Sequence, residues 1–218
     1  MKEKNLELER LVFFSDAIVA IAITLLALDL KVEPVSGGHL TFADVGNAWE
    51  KFVAFFLSFF IIAIFWKIHH EFYAYIRKID NRLLWMNIIW LMFIVTVPFT
   101  TSLISAHLFD KAAIFFYCIN ILIITISQNS IWDYVAVRPD FLKEHITDEI
   151  NRDYRISCNI AMINALLATA VSFLSPLIAF ILLFTRLPMF GLASKYYRKS
   201  NRPRQNNIED RAKENNQI

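Results

Sequence analysis

The stretch Arg10-Leu-Val-Phe-Phe14-Ser15-Asp16-Ala-Ile-Val-Ala-Ile21-Ala-Ile-Thr24-Leu25-Leu-Ala-Leu28-Asp29 decides how this chain folds. From Leu11 to Leu30 nearly every residue is apolar, and a bilayer core needs ~20 such residues at about 1.5 Å rise each. The segment reads as a membrane-spanning helix with two polar interruptions, Ser15-Asp16 near its start and Thr24 in its middle. A charged carboxyl within a span costs on the order of 2.5–3.5 kcal/mol. Asp16 is therefore expected to find a partner on a neighbouring helix, to sit near the water interface, or to line a wet path.

The faces of this helix follow from its rotation of about 100° per residue. With Ile21 as origin, Leu25 lies about 40° to one side, and Leu28 about 20° and Thr24 about 60° to the other. These four share a stripe of bulky aliphatics with one hydroxyl. Asp16 lies roughly 140° away, on a face that neighbouring helices must satisfy. Taken alone, the aliphatic stripe fits lipid contact or helix packing.

The pattern Arg10-x-x-x-Phe14-Ser15-Asp16 on a first membrane helix resembles the signature of the transmembrane protein 175 family, the endolysosomal and bacterial potassium channels. The continuation Ala-Ile-Ala-Ile-Thr-Leu-Leu is similar to bacterial members, as are Asp80-Asn-Arg-Leu-Leu-Trp-Met-Asn87 and Pro98-Phe-Thr-Thr101. The resemblance covers roughly residues 5 to 197. It implies a homotetrameric cation channel favouring potassium, with the first helix lining a central pore. Ile21 would occupy the hydrophobic constriction, Thr24 a polar layer used in selectivity, and Leu25 and Leu28 would extend the narrowing. The signature residues Arg10, Phe14, Ser15 and Asp16 would join a polar network with the second and third spans that holds the pore helix. No cofactor is implied; K+ is the permeant ion, in transit near Ile21 and Thr24.

Composition agrees with a membrane protein. Of 218 residues, 56% are hydrophobic, well above an ordinary soluble domain, and mean hydropathy is +0.44. A net charge of +2 leaves no strong basic footprint for nucleic acid. Cys118 and Cys158 fall inside apolar runs and read as packing residues rather than a disulfide. The N-terminal apolar run is too long for a signal peptide and contains Asp16.

Six spans are expected, over residues 10–30, 48–75, 83–104, 112–137, 156–174 and 177–197, forming one channel domain over 1–197. Residues 31–47, with Pro34, Gly37, Gly38 and Gly46, read as an exposed loop. Pro98 predicts a kink or early unwinding of the third span, residues 138–155 a charged, partly helical segment outside the membrane, and 198–218 a polar disordered tail. Six spans put both termini on one side. Only Lys31, Lys51 and Lys111 fall on the other, leaving nineteen of twenty-two Lys and Arg on the side of the termini. That imbalance places the termini in the cytoplasm, and similarity to bacterial members places the chain in a bacterial inner membrane. The basic residues after the sixth span are positioned to touch anionic lipid headgroups.

Adjacent histidines on a helix point about 100° apart, and the His-Glu-x-x-His spacing is missing from His69-His70-Glu71, so no metal site is expected there. Trp66 and His70 share a face, His69 lies on an adjoining one, and Asn87 opens the third span. These four are candidate partners for Arg10 and the Ser15-Asp16 pair; the histidines read equally well as interfacial anchors. Ser15 and Asp16 point apart, the wrong geometry for a hydrolytic pair, and an enzyme is not expected. The remaining membrane polars, such as Thr96, Thr100, Thr101 and Asn120, read as packing. No Thr-Val-Gly-Tyr-Gly filter loop is present. The competing function is a proton-linked secondary transporter using Asp16 and the histidines as relays, though the inverted repeats of transporters are not found.

Overall fold

A computed structural model describes residues 2–34, 37–143 and 148–185. Long apolar runs become helices, and each break between them has a local cause. Helix α1 spans Lys2–Leu25 and tightens into a 3-10 turn over Leu26–Asp29. It therefore starts well before the expected boundary at Arg10. The connection read as a loop contains a short helix, α2 (Phe42–Asn47). Its cause is a capping box: the Asp44 N–H donates to Thr41 Oγ1, and Asp44 Oδ2 accepts from the Thr41 N–H at 2.9 Å.

Helix α3 (Trp49–Tyr75) follows a single linking residue, Ala48. Helix α4 (Asn81–Ala106) is capped by Asp80, which accepts the Leu83 N–H at 2.8 Å. Helix α5 covers Lys111–Ala136 and α6 Asp148–Ser172, so α6 begins inside the charged segment, ahead of residue 156. Pro176 then opens α7, described over Pro176–Thr185. The expected continuation of the sixth span to residue 197, and the tail beyond it, lie outside the described residues. Among the described residues no strand forms; a single isolated bridge pairs Ile76 with Leu142.

Pro98 does not break α4, which runs helical on both sides of it. Threonine hydroxyls on either side of it bond helix carbonyls, Thr96 Oγ1 donating to that of Phe93 and Thr101 Oγ1 to that of Val97.

Helix α4 sits at the centre, packed against α1, α3 and α5, with α6 on the far side of α5. Trp90, Tyr117, Trp132, Phe65 and Phe72 fill the core. Polar links cross it. Ser58 Oγ lies 2.7 Å from Thr101 Oγ1, whose own proton goes to the Val97 carbonyl, and 2.9 Å from the Tyr117 hydroxyl, tying α3, α4 and α5 together. Gln128 Nε2 donates to the Phe65 carbonyl at 2.9 Å. Such bonds are worth about 0.6 kcal/mol each on average within a membrane, and here they set the rotation of each helix.

Outside the spans, the chain after α5 folds back on the α3–α4 turn: the Arg77 N–H donates to the Phe141 carbonyl at 2.8 Å and the Lys143 N–H to that of Tyr75 at 3.0 Å. Lys78 bonds Asp140 at 3.0 Å, which lowers the Asp140 carboxyl below its ordinary range. Burial pushes the Asp80 carboxyl up, but the Tyr134 phenol, the Leu83 N–H and the nearby Arg138 outweigh it and hold it low.

Candidate functional site

Helix α1 is amphipathic in burial. Leu11, Ser15, Val19, Ala22 and Leu26 face the bundle and are buried, at spacings of four, four, three and four. Ile21 (59% exposed), Leu25 (38%) and Leu28 (63%) lie on the opposite side, with Thr24 and Phe14 also exposed. The 3-10 turn winds at three residues per turn, so Leu28 eclipses Leu25 rather than drifting off its face. The Thr24 hydroxyl donates to the Ile21 carbonyl at 2.8 Å, within its own helix.

The middle of α1 is anchored at two different azimuths. On one, Ser15 is fully buried and donates its hydroxyl to the Leu11 carbonyl at 2.8 Å. Its oxygen then accepts from Asn87 Nδ2 of α4 at 2.9 Å. Asn87 Oδ1 is shared between His69 Nε2 at 2.8 Å and the Tyr73 hydroxyl at 3.2 Å, both from α3. Because the Ser15 proton is already committed to Leu11, the Asn87 amide must donate towards Ser15 and accept towards α3. That orientation makes His69 the Nε2–H tautomer. The His69 ring stacks on Trp90 at 4.4 Å and 15°, and its Nδ1 has no hydrogen-bond partner.

On the other azimuth, Asp16 Oδ1 accepts from Trp66 Nε1 of α3 at 2.8 Å. The Trp66 ring lies 5.6 Å from that of His70.

The structure thus brings together Ser15, Asp16, Trp66, His69 and Asn87. It does not bring in the rest of the expected set. His70 is exposed with its ring beside that of Trp66, and among the described residues it has no hydrogen bond to the Ser15–Asn87 chain. Arg10 is exposed and makes no hydrogen bond or ion pair among the described residues. Phe14 is on the outer face. Two members escaped the sequence: Tyr73 and Trp90. Both were within reach by spacing, since Tyr73 stands four residues after His69 and Trp90 three after Asn87, each on its partner's face.

A family profile described as the endosomal/lysosomal potassium channel TMEM175 matches residues 10–98. A potassium channel of Chamaesiphon minutus is 30% identical over 201 residues, 86% of this chain and 95% of that protein. The chain belongs to the TMEM175 family. Its fold superposes on the crystal structure of a lysosomal potassium-selective channel TMEM175 homolog from Chamaesiphon minutus with a TM-score of 0.76. That comparison is at 27% identity and covers 86% of this chain and 98% of the other. A potassium channel of Streptomyces collinus is 36% identical over 100 residues, a match spanning 46% of this chain and 48%, about half, of that relative. A mouse relative named as an endosomal/lysosomal proton channel is 26% identical over 145 residues and is covered over 29% of its length. TMEM175 proteins are ion channels rather than enzymes. With five helices long and apolar enough to cross a membrane among its described residues, this TMEM175 chain is a multi-pass membrane protein.

Proposed function

We propose that this chain is one subunit of a homotetrameric, potassium-selective cation channel of a bacterial inner membrane, with both termini cytoplasmic and α1 lining the pore. The observation that carries this is the outer face of α1. A single chain leaves Ile21, Leu25 and Leu28 exposed, while Ser15 and Asp16 on the other azimuths are bound into the bundle. One such stripe cannot enclose a path, but several copies around an axis would stack Ile21, Leu25 and Leu28 into apolar rings. Rings of that kind gate by dewetting as well as by steric closure. Thr24, beside the stripe, supplies a carbonyl-bonded hydroxyl whose oxygen can still face an ion. The potassium-channel names of the bacterial relatives support K+ as the permeant ion. The proton-channel name of the mouse relative makes H+ the second ion to measure.

Ion flux from liposomes tests the proposal. The wild-type protein should carry K+ ahead of Na+. Ile21→Asn, which adds amide dipoles at the constriction, should raise flux and weaken K+ over Na+ discrimination. Ile23→Asn, on the side packed against the core, should reduce folded yield instead. If Ile21→Asn leaves flux and preference unchanged at matched protein content, α1 does not line the pore. Flux that saturates near one ion per conformational cycle would favour a transporter.

A further inference from the structure

Phe14 stands outside the anchor, although its neighbours Ser15 and Asp16 are both tied into it. Its azimuth is set by theirs. Phe14 lies seven residues before Ile21, a rotation of about 700°, so it falls about 20° from the Ile21 azimuth and about 10 Å nearer the N-terminus. Leu28 stands seven residues beyond Ile21. Phe14, Ile21 and Leu28 are 52%, 59% and 63% exposed.

The positions between them are exposed as well, and their side chains are shorter: Ala17 and Thr24. The series Phe14, Ala17, Ile21, Thr24, Leu28 runs at spacings of three, four, three and four. Those spacings make the seam of helices that wind around one another, and they hold all five residues on one side of α1. Bulk alternates along the seam: an aromatic ring, a methyl group, a branched aliphatic, a hydroxyl, a branched aliphatic. Copies of α1 set around an axis repeat that alternation as narrow and wide layers.

We propose that Phe14 forms a second apolar constriction on the N-terminal side of Ile21, and that the Ala17 layer between the two is a chamber where an ion rests. This rests on the reading of α1 as the pore helix and adds a gating residue to it. An apolar ring gives a passing cation nothing in place of its water, and closes by dewetting. The methyl groups at Ala17 leave room for water between the rings, so dehydration is met in two separate steps. The hydrogen bonds of Ser15 and Asp16, on the next two residues, keep the Phe14 ring on the Ile21 azimuth.

The test combines thiol accessibility with ion flux in the full-length protein. Ala17→Cys, with Cys118 and Cys158 replaced by alanine, is treated with a membrane-impermeant cationic thiol reagent from the side of the N-terminus. Adding Phe14→Ala should speed its modification about tenfold, which corresponds to about 1.4 kcal/mol of barrier. In liposomes at matched protein content, Phe14→Ala alone should raise K+ flux only about twofold, because the Ile21 ring remains in series. Phe14→Ala with Ile21→Asn should exceed the two single gains multiplied together. Phe116→Ala, which removes a ring of similar exposure on α5 (53%), should leave flux unchanged. Should Phe14→Ala fail to fold, Phe14→Leu carries the same expectations in smaller measure. Equal modification rates with and without the Phe14 ring would overturn the proposal. So would a Phe14→Ala flux equal to wild type while Ile21→Asn still raises flux, a result that leaves α1 as the pore helix. Silence of both variants would remove the proposal and the pore reading together.

Discussion

Replacing Asn87 by leucine, close in size but without the amide, should loosen α1 from the bundle more than any other single change in the anchor. Asn87 is fully buried and serves three partners: it donates to Ser15 and accepts from His69 and Tyr73. The leucine would strand two buried donors on α3 and release the only side-chain hydrogen bond between Ser15 and α4 among the described residues. Interhelical hydrogen bonds in a membrane average about 0.6 kcal/mol and reach about 1.7, so three together give about 2–5 kcal/mol, or on the order of a hundredfold in the folded ratio. The measurement is a titration with a denaturing detergent in mixed micelles, followed by circular dichroism. Ser15→Ala alone should cost about 1 kcal/mol. The double variant should cost less than the sum of its parts, because the same bond is counted in both singles. Strict additivity of the two, or an Asn87→Leu protein as stable as wild type, would show that the chain of bonds does not hold α1.

Trp66→Phe leaves the Asp16 carboxylate without its indole donor and should lower folded yield, at about 1.5–3 kcal/mol for a hydrogen bond to a charged group; an unchanged detergent midpoint would mean that water serves Asp16 equally well. Thr24→Val should cost less than about 0.5 kcal/mol of stability, as an exposed substitution, yet reduce K+ preference in liposome flux; unchanged preference would remove Thr24 from the conduction path. Asp80→Ala removes the α4 cap and should cost about 1 kcal/mol at neutral pH. The folded Asp80 carboxyl is held below its ordinary range, so its ionic contribution is present above about pH 4, the unfolded carboxylate range, and fades as pH falls through the lower folded value. A difference between variant and wild type that stays constant from pH 7 to pH 3 would contradict this.

That the chain is all-helical and crosses a membrane was legible because bilayer thickness fixes the length of each apolar run. The two faces of α1 were legible for the same kind of reason, since rotation along a helix is fixed. Rotation between helices is not, and there the sequence was silent. Ser58 and Tyr117 meet across α3 and α5, but nothing local distinguishes them from hydroxyls that bond their own backbone, as Thr125 does. His69 and His70 show the same limit. Both sit one turn after the Trp66 region, and only docking against α4 decides that His69 is buried on Asn87 while His70 stays outside. Helix α2 is a different case. Its Thr41-x-x-Asp44 spacing is a local signal, and reading the segment from Pro34 and its glycines alone missed it.

The adjacency of Ser15 and Asp16 has a mechanical consequence. A single hydrogen bond fixes a point on a helix but leaves it free to turn about that point. Two neighbours point about 100° apart; Ser15 is tied to Asn87 on α4 and Asp16 to Trp66 on α3. Together they fix the azimuth of α1 as well as its height. Turning α1 by one residue would drive the Asp16 carboxylate toward the dry position of Ser15, at a cost on the order of 2.5–3.5 kcal/mol, and would strand Asn87. Every residue further along inherits that azimuth. Beyond the anchor, α1 meets the bundle through Val19, Ala22 and Leu26, apolar contacts with little directional preference of their own. It is the polar pair in mid-helix that turns Ile21 and Leu25 outward, and a channel built on this helix would owe the alignment of its constriction to two residues more than a turn away.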